Sequence, residues 1–268
     1  MAPAALDASG APGELLERSR ELAFLGEVLA VVSGGHGRIV LVGAEAGGGK
    51  TALLRRFCDD SRSAARVLWG ACDALFTPRP LGPLLDVAEV TGGELEELVD
   101  GGARPHDVSA ALLRVLATSE LAILVVEDVH WADEATLDVL RLLARRVDTV
   151  PALVVATYRD DELDRTHPLR IVLGEVATNE AVRRLRIEPL SPAAVAVLAE
   201  PHGVDAEDLY RKTLGNPFFV TEALAAGEAE LPLTVRDAVL ARTARLSPAQ
   251  GPCSTRSRSC RRKPSSGC

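Results

Sequence analysis

The run RIVLVGAEAGGGKTALLRRF, Arg38 to Phe57, constrains the fold more than any other part of the chain. Its first residues are apolar and end in glycine, the pattern of a short buried strand. KTALLRRFCDD continues as a helix. Between strand and helix lie Gly47, Gly48 and Gly49, followed by Lys50 and Thr51. Glycines let backbone N–H groups turn inward without side chains in the way. The helix N-terminus adds its dipole and unpaired N–H groups. The arrangement predicts a phosphate cradle lined by Ala46, Gly47, Gly48, Gly49, Lys50 and Thr51. Lys50 is placed to reach β- and γ-phosphates, and Thr51 to offer its hydroxyl to magnesium. One position departs from the signature. Six residues before Lys50, where a glycine is usual, stands Ala44, with Gly43 one place early. A methyl group there is tolerated if φ stays negative.

Four more strands follow from apolar runs: ARVLWGAC (65–72), LAILVVED (121–128), ALVVATY (152–158) and RLRIEPL (184–190). A proline-rich loop leading into a helix, FTPRPLGPLLDVAEV (76–90), and helical patterns at 106–119 and 133–147 separate them, the last with Asp133 as N-cap. Continuously apolar strands alternating with helices predict a parallel sheet covered on both faces. After Pro189 the strands stop. SPAAVAVLAE, DAEDLYRKTL, NPFFVTEALAA and TVRDAVLARTARL all read as helices. The first carries Ser191 as cap and Pro192 at the first helical position. The expected organisation is a leader at 1–13, an α/β domain at 14–189, a small all-helical domain at 190–250 and an irregular basic tail at 251–268.

Charge and cysteine usage narrow the function. The chain of 268 residues carries a net charge of −8. The tail GPCSTRSRSCRRKPSSGC is strongly basic and holds no acid, so the body is more acidic than the total. An acidic body argues against a general nucleic-acid surface there. No apolar window is long enough for a membrane span, and the N-terminus lacks the basic and apolar regions of a secretory signal. Of five cysteines, Cys58 and Cys72 lie in the body, and no C-x-x-C pair signals zinc or redox chemistry. A reducing cytoplasm is the expected compartment.

Two strand ends add chemistry. ILVVED places Glu127 and Asp128 at the C-terminal edge of a buried strand, the edge where parallel sheets bind ligands. One acid can hold magnesium and the other can orient an attacking water. VVATYRDDEL places Thr157 and Arg159 at the next strand end. Arg159 can contact a γ-phosphate, or it can pair on the surface with Asp160, Asp161 or Glu162.

In this order, the pieces resemble the signal-transduction ATPases with numerous domains, which are AAA-related P-loop NTPases. Within that group the likeness is to the ATPase modules of large LuxR-family transcriptional regulators. LLERSRELAFL, WGACDALFTPRPLGPLLDVA, VVEDVHWADEATLDVLRLLARR, VVATYRDDELDRTHPLR and GNPFFVTEAL support it, and it covers about residues 13–250. The resemblance implies a five-stranded, mainly parallel sheet flanked by helices, with the helical domain acting as a lid. It implies ATP or ADP and Mg2+ as ligands, slow hydrolysis, and a switch that is off with ADP and on with ATP, with self-association in the ATP state. Carried over by position, Lys50, Glu127, Asp128 and Arg159 are the catalytic set, and Thr51, Glu127 and Asp128 the metal set. Glu127 stands where the group usually has the magnesium-binding Asp, so the division of labour between Glu127 and Asp128 stays open. Pro217 of GNP is implied near the adenine, and Arg20 of ERSREL is a candidate for lining the base. His130 and Trp131 of HWAD read as packing and loop-shaping residues.

Two functional alternatives stand beside the ATPase: a non-hydrolysing nucleotide-binding module and a small-molecule kinase. The resemblance also implies sensor regions and a DNA-binding helix-turn-helix beyond this sequence, so DNA is expected only through a C-terminal domain not present here. LSPAQ should start another helix, with Ser247 as cap, but Gly251-Pro252 breaks it. The tail reads as a frameshifted continuation, which accounts together for its charge, its cysteines and the broken helix. The competing reading is a basic arm for nucleic acid or anionic surfaces.

Overall fold

A computed structural model describes residues 15–75, 79–117 and 120–226. The leader, the helix expected at 234–246, the last part of the expected lid and the basic tail lie outside the described residues.

Five strands form one sheet: β1 (Arg38–Ala44), β2 (Arg66–Ala71), β3 (Ala122–Glu127), β4 (Ala152–Arg159) and β5 (Val182–Arg186). Their order is β2-β3-β4-β1-β5, and every pairing is parallel. This is the fold of P-loop NTPases. Parallel neighbours need crossovers, and helices supply them. The helices of this part are α1 (Ser19–Ser33), α2 (Lys50–Ser61), α3 (Gly82–Thr91), α4 (Gly93–Asp100), α5 (Pro105–Leu116), α6 (Glu134–Ala144) and α7 (Pro168–Glu175).

Side chains alternate across the sheet, so each strand feeds two cores. Val40 and Val42 of β1, Ile123 and Val125 of β3, and Leu153 and Val155 of β4 pack on Leu25 and Val32 of α1 and on Leu53 and Leu54 of α2. Ile39 and Leu41, Leu124 and Val126, and Val154 and Ala156 face the other way, under α3 to α7. Both faces being covered explains why the strand sequences are apolar throughout. Burying one such Leu or Val contributes about 1.5–3 kcal/mol relative to leaving it in water.

Among the described residues, three helices, α8 (Pro192–Ala199), α9 (Ala206–Thr213) and α10 (Pro217–Ala226), follow the sheet. They enclose a small core of their own around Val195, Leu209, Val220 and Leu224. The expected caps are in place. Asp133 accepts from the N–H groups of Ala135 and Thr136, and Ser191 from that of Ala194.

The structure corrects the reading in two ways. The fifth strand runs over Val182–Arg186, ahead of the expected 184–190, because its pairing with Ile39–Gly43 of β1 sets its ends. Helices α1, α4 and α7 add to the elements read from sequence.

Candidate functional site

In the strand order, β3, β4 and β1 are neighbours, so their C-terminal ends open on one crevice. The loop after β1 supplies the glycines, β3 supplies Glu127 and Asp128, and β4 supplies Thr157 and Arg159.

Ala44 is the last residue of β1, buried, and is not among the positive-φ residues, so its methyl is accommodated. Gly47 and Gly49 do take positive φ, 73° and 90°, which other residues rarely adopt. Gly49 caps α2 in the left-handed conformation and thereby starts the helix at Lys50. Lys50 is 7 % exposed, and its Nζ donates to the carbonyls of Ala44 (3.3 Å) and Glu45 (3.1 Å). Burial pushes its pKa down, with Asp128 the main opposing charge. An ammonium held by carbonyls alone is poised for a stronger anionic partner.

Thr51 Oγ1 donates to Glu127 Oε1 at 2.5 Å, and the Trp69 indole Nε1 donates to Glu127 Oε2 at 3.1 Å. The Glu127 carboxylate is thus fixed at both oxygens, one of them against the hydroxyl of the phosphate loop. Asp128 is turned elsewhere. Its φ of 53° sets it apart from the strand, and its N–H donates to the buried Thr157 hydroxyl at 2.9 Å. Desolvation raises the Asp128 pKa, against the opposing pull of Arg159 and Lys50.

Arg159 donates to Glu162 Oε1 at 2.6 Å, and its guanidinium carbon lies 4.4 Å from the Trp131 ring centroid. The surface pairing weighed from sequence is therefore present, at half-buried side chains. Glu162 also faces His130 Nε2 at 3.4 Å. His130 is buried, and burial lowers its pKa to about 4. Its ring sits 4.5 Å from that of Trp131, as befits packing residues.

The structure brings Lys50, Thr51, Glu127, Asp128 and Arg159 to one crevice, with Ala46 to Gly49 as its floor. Arg20 is not among them. It is exposed on the first turn of α1, whereas Arg18, just before that helix, is buried and reaches the Gly48 carbonyl at 3.5 Å. Which of two arginines two residues apart turns inward depends on where α1 begins, and α1 has no side-chain cap to announce its start. Pro217 opens α10, and a methyl group added at Gly49 would lie 4.0 Å from its Cγ. The sequence reading missed its neighbour Asn216, 2 % exposed, whose Nδ2 donates to the Ala46 carbonyl at 2.8 Å. Trp69 was missed too, because nothing in the β2 sequence shows that its indole meets an acid on β3.

Comparisons with known proteins bear on the family and the fold. The AAA ATPase domain family matches residues 14–155. An uncharacterized protein of Rhizobium meliloti (strain 1021) is 28% identical over 258 residues, an alignment covering 78% of this chain but 25% of that protein. The chain thus spans about a quarter of that relative's length. The Walker-type ATPase of Pyrococcus abyssi superposes with a TM-score of 0.54 at 14% identity, over 87% of this chain and 73% of that one. The Aeropyrum pernix Orc1 protein, solved with DNA, gives 0.51 at 18% identity, over 87% and 67%. At these identities the solved structures speak for the fold. With more than half of the sequence inside the family match, and the phosphate loop and acidic strand end facing each other across its crevice, the chain belongs to the AAA ATPase domain family.

Proposed function

We propose that this protein binds Mg-ATP, hydrolyses it slowly, and works as a nucleotide-dependent switch, the ATPase part of a LuxR-type transcription regulator. The observation that carries the reading is the Thr51–Glu127 contact. It joins a hydroxyl on the phosphate loop to a carboxylate two strands away, two hard oxygen donors brought to one point of the crevice. Magnesium is held in such sites by one or two protein oxygens plus nucleotide phosphates, so the residues fit the ion. Bound there, magnesium would neutralise phosphate charge.

The residues divide the remaining work. Thr51 and Glu127 would hold the metal. Lys50 leaves the Ala44 and Glu45 carbonyls for the β- and γ-phosphates. Asp128, beside Lys50 and Arg159 and not engaged with Thr51, orients the attacking water. Arg159 exchanges Glu162 for the γ-phosphate. The glycine N–H groups and the α2 dipole stabilise charge as it develops. The regulatory role is supported by the quoted segments around these residues, HWAD and GNPFF among them. Operator contact is assigned to a region outside this sequence, and self-association to the ATP state. The tail after Gln250 is assigned to a shifted reading frame, which resequencing the gene tests.

The deciding experiment identifies nucleotide on the freshly purified protein and then follows phosphate release with Mg-ATP. Lys50→Ala is expected to lose both. A parent that neither carries nor accepts nucleotide would sink the reading. A parent that binds ATP without turnover would favour a non-hydrolysing module, a reading to which the engaged state of Arg159 lends support.

A further inference from the structure

A buried amide that is used at both ends joins the lid to the phosphate loop. Asn216 Nδ2 donates to the Ala46 carbonyl at 2.8 Å, while Oδ1 accepts from the N–H groups of Phe218 (3.2 Å) and Phe219 (3.4 Å). The first contact holds the loop, and the second caps α10. Phe218 N–H also approaches the Gly47 carbonyl at 3.3 Å. A methyl group added at Gly47 would meet Phe218 Cβ at 2.7 Å and Asn216 Oδ1 at 2.9 Å. Gly47 is therefore side-chain-free on account of the lid, and not only to let phosphate approach.

The contact has a consequence for the loop. A trans peptide is planar, so its C=O and N–H point in opposite directions. Asn216 draws the Ala46 carbonyl toward α10. The N–H of Gly47, on the other side of the same peptide, is thereby turned away from the lid, and no backbone carbonyl of the described residues accepts it. A second anchor holds the lid from its other end. The Glu17 carboxylate accepts from Ser191 N–H (2.8 Å) and Ser191 Oγ (2.6 Å), and the adjacent Arg18 reaches Gly48.

We infer that Asn216 is a positioning residue, which orients the Ala46–Gly47 peptide so that the Gly47 N–H is presented to a nucleotide phosphate and which couples lid and loop into one unit. The inference rests on the ATPase reading above. A displaced lid would let this peptide rotate, and a rotated peptide would turn a carbonyl, not an N–H, toward the anion. The effect falls on ATP and ADP alike.

Asn216→Asp tests it. Asp caps helices as well as Asn does, so α10 keeps its start, but a carboxylate oxygen now opposes the Ala46 carbonyl. Asn216→Ser, a neutral cap too short to reach Ala46, guards against misfolding by the added charge. For both variants we expect the dissociation constants of ADP and Mg-ATP to rise about tenfold, the loss of one hydrogen bond to a loop that must stay ordered. KM should rise in step, while kcat at saturation stays within about twofold. Hydrogen exchange without nucleotide gives a second readout. Amides of 45–49 and 217–222 should speed up together, with β3 and β4 unchanged. Unaltered affinity, or unaltered exchange at 45–49, would overturn the inference. If the parent itself binds no nucleotide, the ATPase reading fails, and the exchange experiment still decides whether Asn216 couples lid and loop.

Discussion

The Arg159 guanidinium is held between the Glu162 carboxylate, 2.6 Å away, and the face of Trp131, 4.4 Å from the ring centroid. The Trp131 side chain also favours the charged form of the same carboxylate. The HW part of the HWAD segment thus builds a berth for an arginine at the end of β4. Glu162 offers that arginine the same kind of partner that a γ-phosphate would: an oxyanion with two oxygens it can grip through charge-assisted hydrogen bonds.

Glu162 and the γ-phosphate should therefore compete. Glu162→Gln keeps the shape and removes the charge. ATP affinity is expected to improve relative to ADP by about three- to tenfold, the size of a half-buried ion pair discounted for screening. Competition titrations with the two nucleotides check this. Equal changes for both would show that Glu162 does not guard Arg159.

Asp128 should lower the stability of the nucleotide-free protein. Desolvation is the largest influence on it and raises its pKa, so the folded state holds the proton more tightly than the unfolded chain does. Such a group favours folding at low pH, and that contribution is lost as pH rises through its folded-state value. At neutral pH the ionised carboxylate is a burden. Asp128→Asn is expected to raise Tm at pH 7 while turnover falls by about 100-fold or more. In a domain of this size each kcal/mol appears as about 2–4 °C, so a thermal melt detects it. A fall in Tm would show that Asp128 is held chiefly by Lys50 and Arg159.

His130 predicts the opposite pH behaviour. Burial lowers its pKa from 6.5 to about 4; Glu162 opposes the shift, and Arg159, Lys50 and His167 add to it. The unfolded chain then binds the proton first. Stability from the neutral buried ring is present above pH 6.5 and is lost as pH falls toward 4. Urea midpoints measured at pH 7.5 and pH 5 should differ more for the parent than for His130→Phe. Parallel profiles would mean that His130 does not contribute to the acid sensitivity.

Cys58 and Cys72 should be inert. Both are free and buried, and burial pushes their thiols up to about 11 and about 12. The thiolate is the reactive species. Brief iodoacetamide treatment of the folded protein at pH 7.5, followed by peptide mass spectrometry, is expected to leave both unlabelled. Labelling of Cys72 in the native state would reveal local opening next to β2.

Much of this fold is legible in the sequence because its signals are local. Each of the first four strands is an apolar run with its own boundary: Gly43 next to the last residue of β1, Cys72 after β2, Glu127 at the end of β3 and Arg159 at the end of β4. Asp133 and Ser191 announce α6 and α8 through caps that the structure forms as expected. Other elements lack such signals. α1 starts without a capping side chain and has Gly26 in its interior, while α4 is a short acidic helix behind two positive-φ glycines, Gly92 and Gly93. In the site, residue types and spacing reveal Lys50, Thr51 and the acid pair. They do not reveal that Glu127, and not Asp128, meets Thr51, since that depends on the turn of the backbone at Asp128. The Asn216–Ala46 contact joins residues 170 apart. No periodicity encodes it; only the docking of α10 creates it.

Among the described residues, the outer strand β5 pairs with β1 alone and leaves Arg183, Arg184 and Arg186 exposed along five residues. An open strand edge invites another chain to extend the sheet, and proteins guard against this with charge. Two copies meeting edge to edge here would set guanidinium against guanidinium, an arrangement that destabilises a strand pair. The arginines thus act as a fence against runaway strand addition.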